Sequence, residues 1–379
     1  MKKLSVFLTV ALVLLGTGIQ GSWAAAPKAG GKCTKLGQVI STPGIKYKCI
    51  FVGKKLVWDK GIRTAPAPSK NTNPYLIEPA PINSFKDLNS GYRDIKYWAW
   101  KKSRNAVDGK DTSNLVIETL VGPSSKECPG KSSVAANSIH NLYAGASLPK
   151  RLILIYAVQG DSSWAQLQME KILGTLPVTN PLQNPHGMNA ELDALELQPD
   201  CSDTSPMVLS GASLAHGYTH TIQKVQYLGS SFNWGTFPRW LVEGGATYSE
   251  NFIQYGSDYK TWITNPTFHN WDLKQYDLNF YQDFFTYKLQ ENNKYSWAHT
   301  DQWPNQRVYD VGSYACEVLI AVKGPASIIQ LHSEFAKTGD FEKSFEIVYG
   351  LPWKEALPLI ANAVFQSTTW LVNTPSGLK

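Results

Sequence analysis

Two histidines four residues apart are the strongest chemical signal in this sequence of 379 residues. His216 and His220 lie in the stretch Ser210 to Gly229, whose apolar residues recur at helical spacing and predict one buried helix. Because four residues make about one helical turn, both imidazoles project from the same face and can ligate one ion. Histidine pairs of this kind also occur in helices that bind nothing, so a metal site requires a third ligand.

An acidic residue in an apolar helix is the candidate third ligand. The segment Pro238 to Glu250 predicts a second helix, in which Glu243 stands among leucine, valine and alanine. Burying an unpaired carboxylate is costly, so Glu243 is either a ligand or half of a buried pair. Glu250 follows two turns later on the same face, where it can orient a ligating imidazole.

The residue between the two histidines departs from the hydrolase pattern. In H-E-x-x-H metallohydrolases the position after the first histidine is a glutamate that acts as general base. Here that position is Gly217, and the sequence shows no compensating acid nearby. Metal ligation does not depend on that glutamate, whereas efficient hydrolysis needs a proton acceptor.

Taken together, these segments resemble the gluzincin branch of the zinc metallopeptidases, which includes the zinc aminopeptidases. The likeness covers A-H-G-Y-T-H-T-I-Q at 215–223, W-L-V-E-G-G-A-T-Y-S-E at 240–250 and V-Y-D-V-G-S-Y at 308–314. The resemblance implies that His216, His220 and Glu243 bind zinc, that Tyr309 stabilises an oxyanion and that Glu250 orients a ligand. Two features depart from the family: the glycine at 217 and a longer gap before the acidic ligand.

The order of predicted elements indicates an α+β fold. Predicted strands at 115–121 and 151–158 come early, and the second of them, R-L-I-L-I-Y-A-V, is expected in the interior of a small sheet. Consecutive predicted helices between 309 and 365 follow the two ligand segments. The resemblance adds that this part has a thermolysin-like zincin core with a helical C-terminal lobe.

Amino-acid composition divides the N-terminal part of the chain into three segments. Residues 1–24 have the basic start, apolar run and small-residue site of a secretory signal peptide, with a membrane anchor as the alternative. Residues 31–63 predict a small β module that resembles modules on secreted bacterial proteins, and 64–81 form a proline-rich linker. Residues 82–379 are the metallopeptidase-like domain.

Five cysteines suit an oxidising compartment and leave one unpaired. Cys33 and Cys49 lie in one short segment and are expected to pair. Cys128 and Cys201 both lie in polar loops and can form a second bridge. Cys316 falls in an apolar helix and is the expected buried free thiol.

Charge is concentrated in the small module. Residues 31–63 hold eight lysines or arginines and one aspartate, whereas 64–379 hold 25 basic and 29 acidic residues. The basic module therefore predicts either adhesion to anionic cell-surface polymers or a merely soluble, disulfide-linked appendage. We expect no nucleic-acid partner and, after signal-peptide cleavage, no membrane span in the mature protein.

An aromatic-rich stretch between 252 and 307 either lines the predicted cleft or packs helices together, and helix packing explains most of it. His269 and His299 in this stretch are spare site candidates, while His140 is expected to be a surface or capping residue. The sequence predicts a secreted, zinc-binding metallopeptidase homologue acting on peptide or cell-wall peptide, with hydrolysis impaired or lost. The alternatives are an active peptidase with a displaced base and a metal-free binding protein.

Overall fold

The computed structural model describes residues 28–42, 45–63, 78–90, 92–110, 115–128, 131–174, 186–188, 193–199, 201–264, 276–286 and 306–373. The chain divides into two compact units, Met1–Leu76 and Ile77–Lys379. The division falls inside the stretch predicted as a proline-rich linker. The predicted signal peptide lies outside the described residues.

The first unit contains a small antiparallel sheet. Its strands are β1 (Val39–Thr42), β2 (Ile45–Val52), β3 (Lys55–Trp58) and β4 (Ile62–Arg63), and β2 pairs with each of the other three. A disulfide joins Cys33 to Cys49, which confirms the predicted pairing. Among the described residues of this unit, few apolar side chains are buried. The disulfide is therefore its main source of stability, because it restricts the conformations of the unfolded chain.

The second unit contains a four-stranded sheet in the order β5-β6-β8-β7. Strands β5 (Val116–Val121), β6 (Arg151–Tyr156) and β8 (Asp193–Gln198) are parallel, and β7 (His186–Met188) is an antiparallel edge strand. Strand β6 lies in the interior of the sheet, as predicted. Strands β7 and β8 were not predicted from the sequence.

Alternation along β8 gives its two faces different partners. Leu195 and Leu197 pack with Ile153 and Ile155 of β6 against Met169, which belongs to the helix after β6. The residues between them, including Glu196, therefore point to the opposite face of the sheet. That face lies against the helix that carries the two histidines.

Helices make up most of the second unit, which confirms a mixed α+β fold with small sheets. They are α1 (Tyr92–Val107), α2 (Lys131–Leu142), α3 (Ser162–Leu173), α4 (Pro206–Ser210), α5 (Ala212–Val225), α6 (Arg239–Tyr255), α7 (Tyr259–Thr264), α8 (Leu278–Phe285), α9 (Gln306–Lys323), α10 (Ala326–Thr338), α11 (Phe341–Tyr349) and α12 (Trp353–Asn373). Within the described ranges no single helix has both the length and the hydropathy of a membrane span, although α9 and α10 pass that test as a bent pair.

The histidine helix is shorter than the sequence predicts. Gly211 adopts a left-handed conformation with φ of 81°, and its N–H bonds to the carbonyls of Met207 and Val208, which ends α4. Helix α5 starts afresh at Ala212 and ends at Val225, so the prediction of one helix from Ser210 to Gly229 was wrong at both ends. A glycine with positive φ closes a helix readily because it has no β-carbon.

A second disulfide and a contact between two glycines hold together elements of the second unit that lie near the two histidines. Cys128 and Cys201 are joined, as predicted, and Cys316 is free and buried. Helices α6 and α9 cross at Gly244 and Gly312, where a β-carbon added to Gly244 would lie 2.3 Å from the backbone carbon of Gly312. Only residues without a side chain allow this approach.

Candidate metal centre

Three side chains from two helices converge at one point. His216 and His220 project from α5, and Glu243 projects from the second turn of α6. Their ligand atoms all lie within 4.8 Å of one another, so the group can hold a metal ion. The convergence follows from the sequence because the histidines are one turn apart and α6 packs against α5.

The spacing of these atoms suits a tetrahedral ion. The two Nε2 atoms are 3.2 Å apart, and Oε2 of Glu243 lies 3.3 Å from Nε2 of His220 and 3.8 Å from Nε2 of His216. Ligands held at roughly 2.0–2.1 Å from a tetrahedral ion stand about 3.3–3.4 Å from one another. The residues present therefore fit a metal without a large rearrangement.

Each imidazole is oriented by a second partner. Nδ1 of His216 lies 3.0 Å from Oε2 of Glu250, and Nδ1 of His220 lies 2.9 Å from Oε1 of Gln223. Gln223 in turn donates from Nε2 to the carbonyl of Val242 at 2.9 Å. These contacts occupy both Nδ1 atoms and leave both Nε2 atoms directed at Glu243, which is the arrangement that metal-ligating histidines need.

The charges at this centre are strongly coupled in the metal-free protein. Burial disfavours a charged His216, but Glu243 and Glu250 outweigh it and raise the pKa of His216 to about 9. Burial lowers the pKa of His220, with the positive charge of His216 adding to the effect. The two imidazoles outweigh the burial of Glu243 and hold its pKa well below the usual range.

Tyr309 lies beside the triad, on the first turns of α9. Its ring stacks on that of His216 with centroids 6.0 Å apart. Burial and the negative charge of Glu243 raise the pKa of the Tyr309 hydroxyl, while Arg239 opposes this rise. Arg239 lies one turn before Glu243 on α6, with Nε 3.6 Å from Oε1 of Glu243. A phenol and a guanidinium thus border the side of the triad that faces α9.

An unpredicted carboxylate occupies the space beside Gly217. A β-carbon built on Gly217 would lie 2.4 Å from Oε2 and 3.3 Å from Cδ of Glu196, which reaches the helix from β8. The hydroxyl of Thr221 donates to Oε1 of Glu196 at 2.7 Å. Burial raises the pKa of Glu196 to about 8, against the hydrogen bond from Thr221 and the positive charge of Lys224.

The structure brings together His216, Gly217, His220, Glu243, Glu250 and Tyr309, and it adds Glu196. The signal for Glu196 is present in the sequence as an acid flanked by leucines, A-L-E-L, but only the fold places it opposite Gly217. His140 contacts Tyr218 through Nδ1 at 3.0 Å and takes no part in the triad. His269 and His299 lie outside the described residues.

Comparisons of this chain with protein-family models, with curated proteins and with solved structures found no match. The geometry of the centre is therefore the basis for assigning a function. Two imidazoles and one carboxylate converge within bonding range of a single ion, and a tyrosine, an arginine and the carboxylate of Glu250 contact them.

Proposed function

We propose that this protein is a zinc-dependent metallopeptidase-type protein, with the ion held by His216, His220 and Glu243. The observation that carries the proposal is the triad, whose ligand atoms already stand at tetrahedral spacing. A thermolysin-like zincin core is part of the same proposal. It is supported by the approach of two helices that carry a histidine pair and a glutamate beneath a small mixed sheet.

The donor set favours zinc over other common metals. Two imidazoles and a carboxylate form one of the ligand sets of catalytic zinc sites, whereas magnesium and calcium prefer oxygen ligands only. The charge also balances, because Glu243 and Glu250 together carry two negative charges against a divalent cation. When bound, zinc polarises a carbonyl and makes water acidic enough to ionise near neutral pH.

The protein's own residues have defined tasks in this proposal. Glu250 and Gln223 fix the orientation of the imidazole rings of His216 and His220 by contacts with the ring Nδ1 atoms. Tyr309 presents a hydroxyl whose raised pKa keeps it protonated, so it can donate a hydrogen bond to the oxygen of a peptide carbonyl as charge develops there. Arg239 adds positive charge at the same side of the triad.

The glycine at 217 bears on turnover and not on metal binding. Without a proton acceptor, hydrolysis falls short of H-E-x-x-H enzymes by about 10²–10⁴-fold, which is the basis of the sequence prediction of impaired or lost activity. An active peptidase with a displaced base is the second candidate. The observation that favours it is the carboxylate of Glu196 beside Gly217.

Metal binding is tested with the purified full chain. The natural protein should contain near-stoichiometric zinc by mass spectrometry, and chelation should lower its melting temperature. His220→Ala should abolish both the zinc content and the effect of the chelator. His140→Ala is the matched control, because it removes a half-buried imidazole outside the triad. A natural chain that binds no zinc and gains no stability from it would overturn the proposal.

Location and the basic module form a separate part of the proposal. The two disulfides are typical of extracellular proteins. Within residues 31–63, the lysines whose exposure the structure describes all lie exposed, namely Lys32, Lys35, Lys48, Lys54, Lys55 and Lys60. We expect them to retain the protein on anionic wall polymers in a salt-sensitive way, because exposed charges are screened beyond about 10 Å at 0.1 M salt. Equal retention of a chain starting at Thr64 would contradict this role.

A further inference from the structure

The glycine at 217 is explained by close packing and not by backbone conformation. Gly217 lies inside α5, and it is not among the glycines of this chain that adopt a positive φ. A glycine in a helix interior costs about 1 kcal/mol relative to alanine. The absence of a side chain at 217 leaves room for the carboxylate of Glu196, which fills the volume directly beside the helix backbone.

We propose that Glu196 is the proton acceptor of this site, so that strand β8 supplies the carboxylate that H-E-x-x-H enzymes supply from the helix. The proposal rests on the proposed peptide hydrolysis at the His216, His220 and Glu243 centre. A glutamate side chain at 217 and the glutamate side chain at 196 compete for one volume. Oε2 of Glu196 lies 2.4 Å from where the β-carbon of residue 217 would stand, so the loss of a side chain at 217 leaves room for a carboxylate from β8 on the same side of α5.

The contacts of Glu196 leave one oxygen available for this role. Oε1 accepts a hydrogen bond from Thr221, which follows Gly217 by one helical turn. Among the residues that the structure describes, no hydrogen bond to Oε2 is found, and Oε2 is the atom nearest to position 217. Thr221 therefore acts as a positioning residue that fixes the carboxylate against the helix.

The reaction that this arrangement serves is hydrolysis of a peptide bond by water. The oxygen of the attacking water forms a bond to the carbonyl carbon, and one proton of that water passes to Glu196. The bond between carbon and nitrogen then breaks, and the proton passes from Glu196 to the leaving amine nitrogen. The products are a carboxylic acid and an amine, with no other reactant consumed.

The first experiment replaces the carboxylate by an amide of the same shape. Zinc-loaded Glu196→Gln should hydrolyse a broad library of unstructured peptides and purified wall peptides about 10²–10⁴-fold more slowly than the natural chain. Its zinc content should equal that of the natural chain, because Glu196 is not a ligand. Glu118→Gln is the matched control on the same sheet, since its side chain is exposed on β5, and it should leave both properties unchanged.

A second experiment moves the carboxylate from the strand back to the helix. Gly217→Glu alone places two glutamates in one volume and should lower both activity and melting temperature. Combined with Glu196→Ala, the same substitution should restore at least tenfold of the activity that Glu196→Ala loses. Higher activity of Gly217→Glu than of the natural chain, with Glu196 in place, would contradict the shared volume.

A third readout needs neither metal nor substrate. In metal-free protein, Gly217→Ala should lower the melting temperature by a few degrees because the new β-carbon displaces the Glu196 carboxylate. In the Glu196→Ala background, the same change should be neutral or stabilising. Equal effects in both backgrounds would show that the two positions do not touch and would overturn the inference.

The outcomes separate this inference from the proposed function. A natural chain that binds no zinc defeats the proposed function. A chain that binds zinc and hydrolyses peptides equally well with Gln at 196 defeats the inference alone. A zinc-loaded natural chain without any hydrolysis of either substrate set also defeats it, and Glu196 is then a carboxylic acid that fills the space beside Gly217.

Discussion

Two clusters of buried charge lie beside α9, and they are built differently. Lys96 of α1 and Glu317 of α9 form an ion pair at 2.8 Å, with side chains 0% and 1% exposed. The centre beside Tyr309, near the start of the same helix, combines His216, His220 and Glu243, and the His216 side chain is 23% exposed. The first cluster is closed and neutral, whereas the second is partly open and places the His216 ring between the carboxylates of Glu243 and Glu250.

The difference separates a structural pair from a functional centre. In the pair, each charge has its partner, and Nζ of Lys96 also lies 4.8 Å from the ring centroid of Trp262. In the triad, the proton on Nε2 of His216 faces Glu243, and a divalent ion can take its place while Glu250 keeps its contact with Nδ1. Buried charge alone is thus a poor marker of function, whereas converging lone pairs near solvent are a better one.

The largest expected effect comes from breaking the closed pair. Lys96→Met leaves Glu317 buried without its cation and should reduce the free energy of unfolding by about 3–5 kcal/mol at pH 7. Burial already raises the pKa of Glu317, and loss of Lys96 raises it further. A raised folded pKa makes the variant relatively more stable below about pH 4, and this gain is lost as the pH rises.

Urea denaturation at several pH values measures this effect. Adding Glu317→Leu to Lys96→Met provides the control, because it removes the stranded carboxylate and should recover most of the loss. Zinc content should not change in either variant. A loss under 1 kcal/mol in the single variant would show that the pair is not sealed from water.

Removing an orienting carboxylate from the open centre should have a smaller effect. Glu250→Ala frees Nδ1 of His216 and should weaken zinc binding by about 10–100-fold, because ligands lose their fixed orientation. Competition with a chromophoric chelator gives the dissociation constant. Glu334→Ala, on the surface helix α10, is a control that should leave affinity unaltered. Unchanged zinc affinity in Glu250→Ala would show that Glu250 is not needed to orient the His216 ring towards the ion.

The buried imidazole of His332 sharpens the comparison, because among the described residues no carboxylate forms an ion pair with it. Burial lowers the pKa of His332 to about 3, and its Nδ1 lies 3.1 Å from the hydroxyl of Tyr227. The unfolded chain binds a proton near pH 6.5 and the folded chain does not, so stability falls as the pH drops from about 6.5 towards 3.

We expect His332→Gln to remove this acid sensitivity. Between pH 6.5 and 5 the natural chain should lose about 1–2 kcal/mol more than the variant does. Thermal denaturation at matched ionic strength across this range gives the measurement. Parallel pH profiles for the two chains would show that His332 takes up its proton at the same pH in the folded and the unfolded chain.

The smallest effect is expected at an exposed pair. Arg151 contacts Glu118 at 3.1 Å and Asp193 at 2.6 Å, and both Arg151 and Glu118 are well exposed. Glu118→Gln should change the free energy of unfolding by less than about 1 kcal/mol, and less still in high salt. Urea denaturation in low and high salt is sufficient to measure it. A larger loss of unfolding free energy would imply that the Arg151 cluster is as well shielded from water as the Lys96–Glu317 pair.

How far the sequence predicts the site depends on whether a residue is positioned by its own helix or by another element. Helical spacing is enough to place His220 one turn from His216 and Glu250 two turns from Glu243, because one turn and two turns are fixed lengths. Glu196 escapes this reasoning, since its position depends on how β8 packs against α5. The break at Gly211 was missed for another reason: the apolar pattern continues across it, and only the backbone conformation shows that one helix ends there.

The disulfide between Cys128 and Cys201 links the stability of the sheet to the redox state of the chain. It closes a loop of 73 residues that includes β6 and β8, and Cys201 follows the end of β8 by three residues. A crosslink of this span removes about 4–5 kcal/mol of chain entropy from the unfolded state. Strand β8, which carries Glu196, leads directly into Cys201 and is also paired with β6 and β7. Reduction of this disulfide therefore lowers the stability of the fold that holds the Glu196 carboxylate beside Gly217, without removing any contact of the carboxylate itself.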